Sequence, residues 1–397
     1  MSTRSPVILG AARTPIGKFG GAFSELSAPD LGVIAAQAAL ARADVAPGAV
    51  QLAIFGQVLQ GGSRMNPARQ VSLRADVPEA TPAMTINQVC ASGLQAVALA
   101  AQHIQLGEMD VALAGGMESM SNAPYVLPDA RWGSKLGHAN LVDTLIGDGL
   151  WDAFEDCHMA NTADTLAQEY GISREAQDRF AYESQQRYAA AAQSCHIAAE
   201  IAPVSVPQRR GLPQVVSDDE YPRADTTPEG LSGLRPAFKG VNTITAGNAS
   251  GINDGAAAVV IASADWADAQ QCEPLATLTA VTTTGVAPMR MGIGPAKAIR
   301  MLLEKTGLTL DDIDLIEINE AFAAQVLVVE SELKWDRSRV NVNGGAIAVG
   351  HPIGASGARI LGTLIYAMQR RNVRRGIAAL CAGGGMGIAA LVERKVH

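Results

Sequence analysis

Thr85-Ile86-Asn87-Gln88-Val89-Cys90-Ala91-Ser92-Gly93-Leu94 places a cysteine between two kinds of local structure. Ahead of it, Met84 to Val89 has the apolar texture of a short strand. Behind it, Leu94, Val97, Ala98, Ala101 and Ile104 recur at helical spacing, which predicts a helix over Ser92 to Gln105. Cys90 therefore falls where a strand turns into a helix. The free N–H groups and positive dipole end of a helix start favour an anion. The expectation is a thiolate with a pKa below the roughly 8.5 of a free thiol, and so a good nucleophile. Most cysteines are simply buried, and this stretch alone leaves both roles open.

Working outward, Val7 to Ala11 and Leu52 to Val58 read as strands. Ala28 to Arg42 and a short piece around Val71 to Leu73 read as helices, and Asp110 to Ala114 as a buried strand ending at Gly115-Gly116. Such alternation predicts an α/β fold with a mostly parallel sheet under helices. From Ser119 to Gly240 the texture changes to Pro, Gly and Asp clusters, with one polar helix over Ser173 to Cys195. A region of that kind suits binding or assembly. The first pattern then returns. Cys90-Ala-Ser-Gly93 opens a helix leading to the strand before Gly115-Gly116, and Gly354-Ala-Ser-Gly357 opens one leading to Cys381-Ala-Gly383. The offset is about 264 residues, and it also carries the helix near Val33 onto Lys297 and the strand at Leu52 onto Asp314 to Ile318. Three elements in one order at one offset indicate two similar halves, roughly 1–118 and 270–397.

The size fits such a design: 397 residues, 48% apolar and 18% charged, fill more than one ordinary domain. A net charge of −8 argues against nucleic-acid binding. No run of about 18 apolar residues predicts a membrane span, and Met1-Ser2-Thr3-Arg4-Ser5-Pro6 leads to a strand without a leader's apolar segment. Cysteines 90, 157, 195, 272 and 381 have neither metal-ligand nor disulfide-framework spacing. The expected compartment is a reducing cytoplasm.

Ligands of α/β sheets sit beyond the carboxyl ends of strands. Four loops qualify: the Cys90 turn, Asn319-Glu320-Ala321-Phe322, Asn343 through Gly350-His351-Pro352-Ile353-Gly354, and Cys381-Ala382-Gly383-Gly384-Gly385-Met386-Gly387. His351 is placed to take a proton or to face an oxyanion. His103, His138, His196 and His397 read as structural or exposed. Asn319 is either a helix N-cap or a holder of water. The consecutive glycines after Cys381 are not the spaced dinucleotide fingerprint.

Together these stretches resemble the thiolase family, as do Gly115-Gly-Met-Glu-Ser-Met-Ser-Asn-Ala-Pro124, Thr245-Ala-Gly-Asn-Ala-Ser250-Gly-Ile-Asn-Asp254-Gly and Ala11-Ala-Arg-Thr-Pro-Ile-Gly17. Gln88 and Ala91 depart from the Lys and Gly common in biosynthetic relatives. The resemblance implies two duplicated α/β halves with mixed sheets in a five-layer αβαβα stack. It assigns 1–118 and 241–269 to the first half, 119–240 to an inserted loop domain, and 270–397 to the second half. It implies ping-pong Claisen chemistry on acetyl-CoA, giving acetoacetyl-CoA, with coenzyme A thioesters as substrates and no metal or redox cofactor. Cys90 would carry the acyl group, His351 activate it and Cys381 move the α-proton. His351 and a water held by Asn319 would form one oxyanion hole, and the N–H groups of Cys90 and Gly383 a second. Coenzyme A and acyl contacts would come from Leu150, His158, Met159, Arg223, Phe238, Ala246, Ser250, Met291, Ala321 and Phe322. A homotetramer assembling through Met120 to Trp132 is implied as well. Readings to be weighed against this are a broader 3-ketoacyl-CoA thiolase, a non-catalytic acyl-CoA- or lipid-binding relative, and an unrelated Cys–His hydrolase.

Overall fold

The structure, a computed structural model, describes residues 4–396, so the readings of Met1 to Thr3 and of His397 lie outside it. The chain runs β1 (Pro6–Arg13), α1 (Ala28–Ala43), β2 (Leu52–Gly56), α2 (Pro67–Arg74), β3 (Ala83–Ile86), α3 (Ser92–Gln105) and β4 (Val111–Ser119). A long excursion follows. It holds short ribbons, α4 (Met159–Glu169) and α5 (Arg174–Gln193), and it returns as β5 (Asn253–Ser263). Then come β6 (Ala276–Gly285), α6 (Gly294–Thr306), β7 (Leu315–Ile318), α7 (Ala323–Leu333), α8 (Ser356–Arg371), β8 (Arg375–Ala382) and β9 (Met386–Glu393).

The helix starts are written locally. Ser27 accepts the Asp30 N–H while Asp30 accepts the Ser27 N–H, a capping box with Pro29 just inside α1. Ser173 caps α5 in the same position.

The duplication is visible strand by strand. One sheet has the order β1-β5-β4-β2-β3, with two antiparallel junctions followed by two parallel ones. The other repeats it as β6-β9-β8-β7 with the same directions, and Val340 bridges Ile316 where a counterpart of β3 belongs. Even a register shift recurs, between Ile8 and Gly10 in β1 and between Leu278 and Ala280 in β6. The sheets are thus mixed rather than mostly parallel, because β5 arrives from the far end of the excursion and β8 and β9 form a hairpin.

Side-chain alternation separates the layers. Ile54, Ala114 and Ile261 of the first sheet, with Ala378, Leu380 and Ala390 of the second, face one shared core built on α3 and α8. Phe55, Leu113 and Val260 face the other way, against α1 and α2. Ile377, Ala379 and Leu391 face α6 and α7. The layers run helix, sheet, helix, sheet, helix. Helix α8 is buried on nearly every side, as a helix between two sheets has to be.

A pseudo-twofold axis runs through the middle. β1 and β6 pair antiparallel at Val7 with Thr277 and Ile8 with Ala276, joining the sheets. Helices α3 and α8 cross at their first turns. A Cβ at Gly93 would stand 2.8 Å from the Ala358 nitrogen, and one at Gly357 would stand 2.3 Å from the Leu94 nitrogen. These are equivalent contacts, each half giving what the other receives.

Strand β4 continues through Gly115 and Gly116 to Ser119 instead of stopping there. The glycines allow close approach rather than ending the strand. A Cβ at Gly115 would lie 2.3 Å from the Ala257 carbonyl oxygen, and one at Gly116 would lie 2.0 Å from that of Gly354.

Candidate active site

Beyond Ile86 the chain turns through Asn87, Gln88 and Val89 into α3. The Asn87 side-chain oxygen accepts the Val89 N–H at 2.9 Å. Ser92 Oγ accepts the Gln88 N–H at 2.8 Å and donates to the Val89 carbonyl at 2.6 Å. Held this way, Val89 has φ +49°, a left-handed conformation that a β-branched residue adopts only under constraint. The turn lifts Cys90 out of line with β3 and into a pocket. Backbone N–H groups of Gly383 and of Cys90 itself are directed at its sulfur.

The expected low thiol pKa is not found. Burial pushes Cys90 up to about 11, the two N–H groups pull back, and the charge of Glu118 adds to the rise. Part of the reason lies in the helix start: the Ala91 and Ser92 N–H groups bond to the Gln88 and Val89 carbonyls and not to the sulfur. The resting Cys90 sulfur is a thiol, and an attack by it would need a base.

His351 supplies a neutral imidazole, because burial, with Arg359 assisting, lowers it to about 3. Gly350 ahead of it has φ +109°, and a Cβ there would stand 2.5 Å from the Asn253 side chain, so glycine is required. The His351 N–H donates to Asn253 Oδ1 at 2.9 Å. Its Nδ1 lies 2.6 Å from Ser356 Oγ, and that hydroxyl donates to the Pro352 carbonyl at 2.9 Å. With the hydroxyl proton spoken for, Nδ1 carries the ring proton and Nε2 keeps its lone pair. Asn319 Nδ2 is 3.4 Å from Nε2. Asn319 is not a helix cap, since α7 starts after Phe322. Its Oδ1 is buried and has no donor among the described residues.

Cys381 ends β8 and is buried. Burial first, and then the neighbouring Cys90, raise its thiol well above the ordinary value. The glycines after it close the β8–β9 hairpin, with Gly384 and Gly385 at positive φ.

Cys90, His351, Cys381 and Gly383 open into one pocket. Leu150, His158, Met159, Phe238, Ser250, Met291, Ala321 and Phe322 line the same space. The His158 ring stacks on Phe238 at 3.8 Å, its Nδ1 accepts the Ala160 N–H at 3.0 Å, and burial lowers it to about 4. Its Nε2 is buried without a partner. The Ser250 hydroxyl donates to the Ala321 carbonyl at 3.0 Å. Arg223 and Ala246 lie outside the pocket on the exposed surface, where Arg223 Nη2 donates to the Ala246 carbonyl at 3.4 Å and its guanidinium covers the Tyr221 ring. Val89, Met120, Gly149, Ala249, Gly251, Ile252 and Ile353 also line the pocket, and reading the sequence gave none of them a contact in it. It also missed Asn253 and Ser356, the two partners of His351. Ser356 was recoverable, standing at the helix start five residues after the histidine. Among the described residues no group of three His, Cys, Asp or Glu could hold a metal ion, and no helix is long and apolar enough to cross a membrane.

Residues 6–265 match the thiolase N-terminal domain and residues 272–394 the thiolase C-terminal domain. The chain is a thiolase. This thiolase is 53% identical over 389 residues to an acetyl-CoA acetyltransferase of Cupriavidus necator, covering 98% of this chain and 99% of that one. It is 52% identical to the acetyl-CoA acetyltransferase of Pseudomonas aeruginosa, over 98% and 99% of the two chains. The crystal structure of the Bacillus anthracis acetyl-CoA acetyltransferase superposes with a TM-score of 0.97 at 45% identity, over 99% of each chain. Human mitochondrial 3-ketoacyl-CoA thiolase gives 0.96 at 44% identity, over 100% of each. The thiolase fold expected from the sequence is the fold observed.

Proposed function

We propose that this thiolase is an acetyl-CoA C-acetyltransferase, condensing two acetyl-CoA into acetoacetyl-CoA and CoA through an acetyl-Cys90 intermediate. The observation that carries this is the convergence of two cysteines and a neutral histidine on one pocket, with two N–H groups aimed at the Cys90 sulfur. The relatives named acetyl-CoA acetyltransferase support the substrate.

Neither Cys90 nor His351 is charged at rest, so the proton leaves sulfur for Nε2 as sulfur attacks the thioester carbonyl. The N–H groups of Cys90 and Gly383 receive the tetrahedral oxygen. Losing one such donor costs about 3 kcal/mol of barrier. CoA departs as a thiolate and takes the Cys381 proton. Cys381, now a thiolate opposite imidazolium, removes a proton from the methyl carbon of the second acetyl-CoA. The enolate oxygen rests on His351 Nε2–H and on a water whose other hydrogen reaches Asn319 Oδ1. The enolate carbon attacks acetyl-Cys90, and the released sulfur recovers its proton from His351. Every group ends as it began.

The segment 119–240, which holds His158, Met159, Arg223 and Phe238, would bind CoA together with Ala246, Ser250, Ala321 and Phe322. Arg223 at the surface suits the phosphate end. Met159 and Met291 are buried at the pocket wall and favour a short acyl chain. The exposed Trp132 and Leu136 suit assembly of four chains through this segment, in the cytoplasm and in acyl-CoA metabolism. The test is thiolysis and condensation across acyl lengths, with the same preparation sedimented to read its mass. The highest kcat/KM should fall on acetoacetyl-CoA and the mass on four chains. Preference for 3-ketohexanoyl-CoA or longer would move the reading to a broad 3-ketoacyl-CoA thiolase, as the likeness to the human enzyme allows. Hydrolysis without carbon–carbon bond formation would overturn it.

A further inference from the structure

Cys90 belongs to the first half of the molecule and His351 to the second, so their spacing depends on what ties the two loops together. Glu118 stands at that junction. It lies on β4, fully buried, and its carboxylate accepts three backbone N–H groups. Oε2 takes Val58 at 3.0 Å and Gly354 at 2.9 Å, and Oε1 takes Leu59 at 3.1 Å. Val58 and Leu59 follow β2 and share a small apolar cluster with Ile353, against which Val89 and Cys90 pack. Gly354 closes the His351-Pro352-Ile353 segment. The contact is close in every direction, since a Cβ on Gly354 would lie 2.6 Å from the Met117 carbonyl oxygen and 2.9 Å from Glu118 Oε2. Above about 7, the value to which burial raises it, the ionised carboxylate offers acceptors only, which suits three converging donors, whereas an amide would turn one N–H against another. A buried carboxyl group is expensive to keep, and none of the catalytic steps proposed above uses this one.

We infer that Glu118 is a positioning residue for the acyl transfer: its carboxylate clamps the His351 segment of one half against the Cys90 turn of the other. The inference rests on the acyl-transfer reading above. The test compares Glu118→Gln with the unaltered enzyme in kcat, KM for acetoacetyl-CoA, thermal melting and acetylation of Cys90 by intact mass. A misplacement of the order of 1 Å should lower kcat by about a hundredfold. KM should hardly change, because Glu118 does not touch the CoA-binding segment, while the melt should fall modestly, since one buried N–H loses its acceptor. Unchanged kcat would overturn the inference, and so would KM rising in step with falling kcat, the sign of general loosening. If Glu118→Gln does not fold, hydrogen exchange on the unaltered enzyme decides. The Val58, Leu59 and Gly354 amides should exchange slowly and as one set, and a fast, independent Gly354 would refute the clamp. An unaltered enzyme that never forms acetyl-Cys90 would instead remove the acyl-transfer reading itself.

Discussion

Helices α3 and α8 begin with the same small residues, Ala91-Ser92-Gly93 and Ala355-Ser356-Gly357, yet the two starts have taken up different work. Neither has a side-chain N-cap, and both cap residues sit in the right-handed region. In the first, Ser92 braces the turn that presents Cys90, the proposed nucleophile. In the second, Ser356 fixes the tautomer of His351, the proposed base. One hydroxyl at one structural position serves shape in the first copy and proton placement in the second. A duplicated scaffold can therefore divide a reaction between its copies without altering its backbone.

The largest test removes what only the first copy has. Cys90→Ser should cut both condensation and thiolysis on the order of 10⁴-fold or more. Cys381→Ala should still gain one acetyl group from acetyl-CoA on intact-mass analysis, and an unlabelled Cys381→Ala protein would sink the division of labour between the cysteines. A smaller test exchanges the two serines' losses. Ser356→Ala should lower kcat by roughly ten- to a hundredfold with the fold intact, since a freed ring loses part of its general-base contribution. Ser92→Ala leaves the half-buried Gln88 N–H unpaired and should cost about 1 kcal/mol in denaturant unfolding. If both serines act mainly on stability, the comparison fails.

The smallest effect is in the acid limb of stability. Folding holds His351 at about 3 and His158 at about 4, below the roughly 6.5 of an unfolded histidine. Between those values the unfolded chain binds more protons, so stability falls as pH drops from about 6.5. Glu118, raised to about 7 by burial, works in the opposite direction over pH 4.5 to 7. His351→Asn should thus narrow the gap between urea midpoints at pH 7 and pH 4.5, and an unchanged gap would remove His351 from the acid response.

The sequence made the repeat legible because the two halves keep small residues where helices meet, and glycine and alanine patterns survive as text. Helix α3 has the bounds its spacing predicts. What stayed hidden depended on contacts between distant segments. Gly115 and Gly116 look like strand punctuation until Ala257 and Gly354 are seen against them. The acidity of Cys90 was misjudged because local reasoning counts the helix start but not the protein that displaces water around the sulfur. Asn253 and Glu118 carry no local sign that they hold the histidine segment, since Asn253 lies 98 residues from His351 and Glu118 lies 236 residues from Gly354.

Gly93, Gly116, Gly354 and Gly357 bring main chain against main chain where the halves cross. A joint of that kind, with the Glu118 carboxylate at its edge, has few side chains to change rotamer and little free volume to compress. Its thickness is the contact distance of peptide groups, the least adjustable dimension a protein possesses. The separation of Cys90 and His351 is therefore referenced to a rigid gauge. Heating or single substitutions elsewhere in the core should wear on the outer helix layers well before they change that measure.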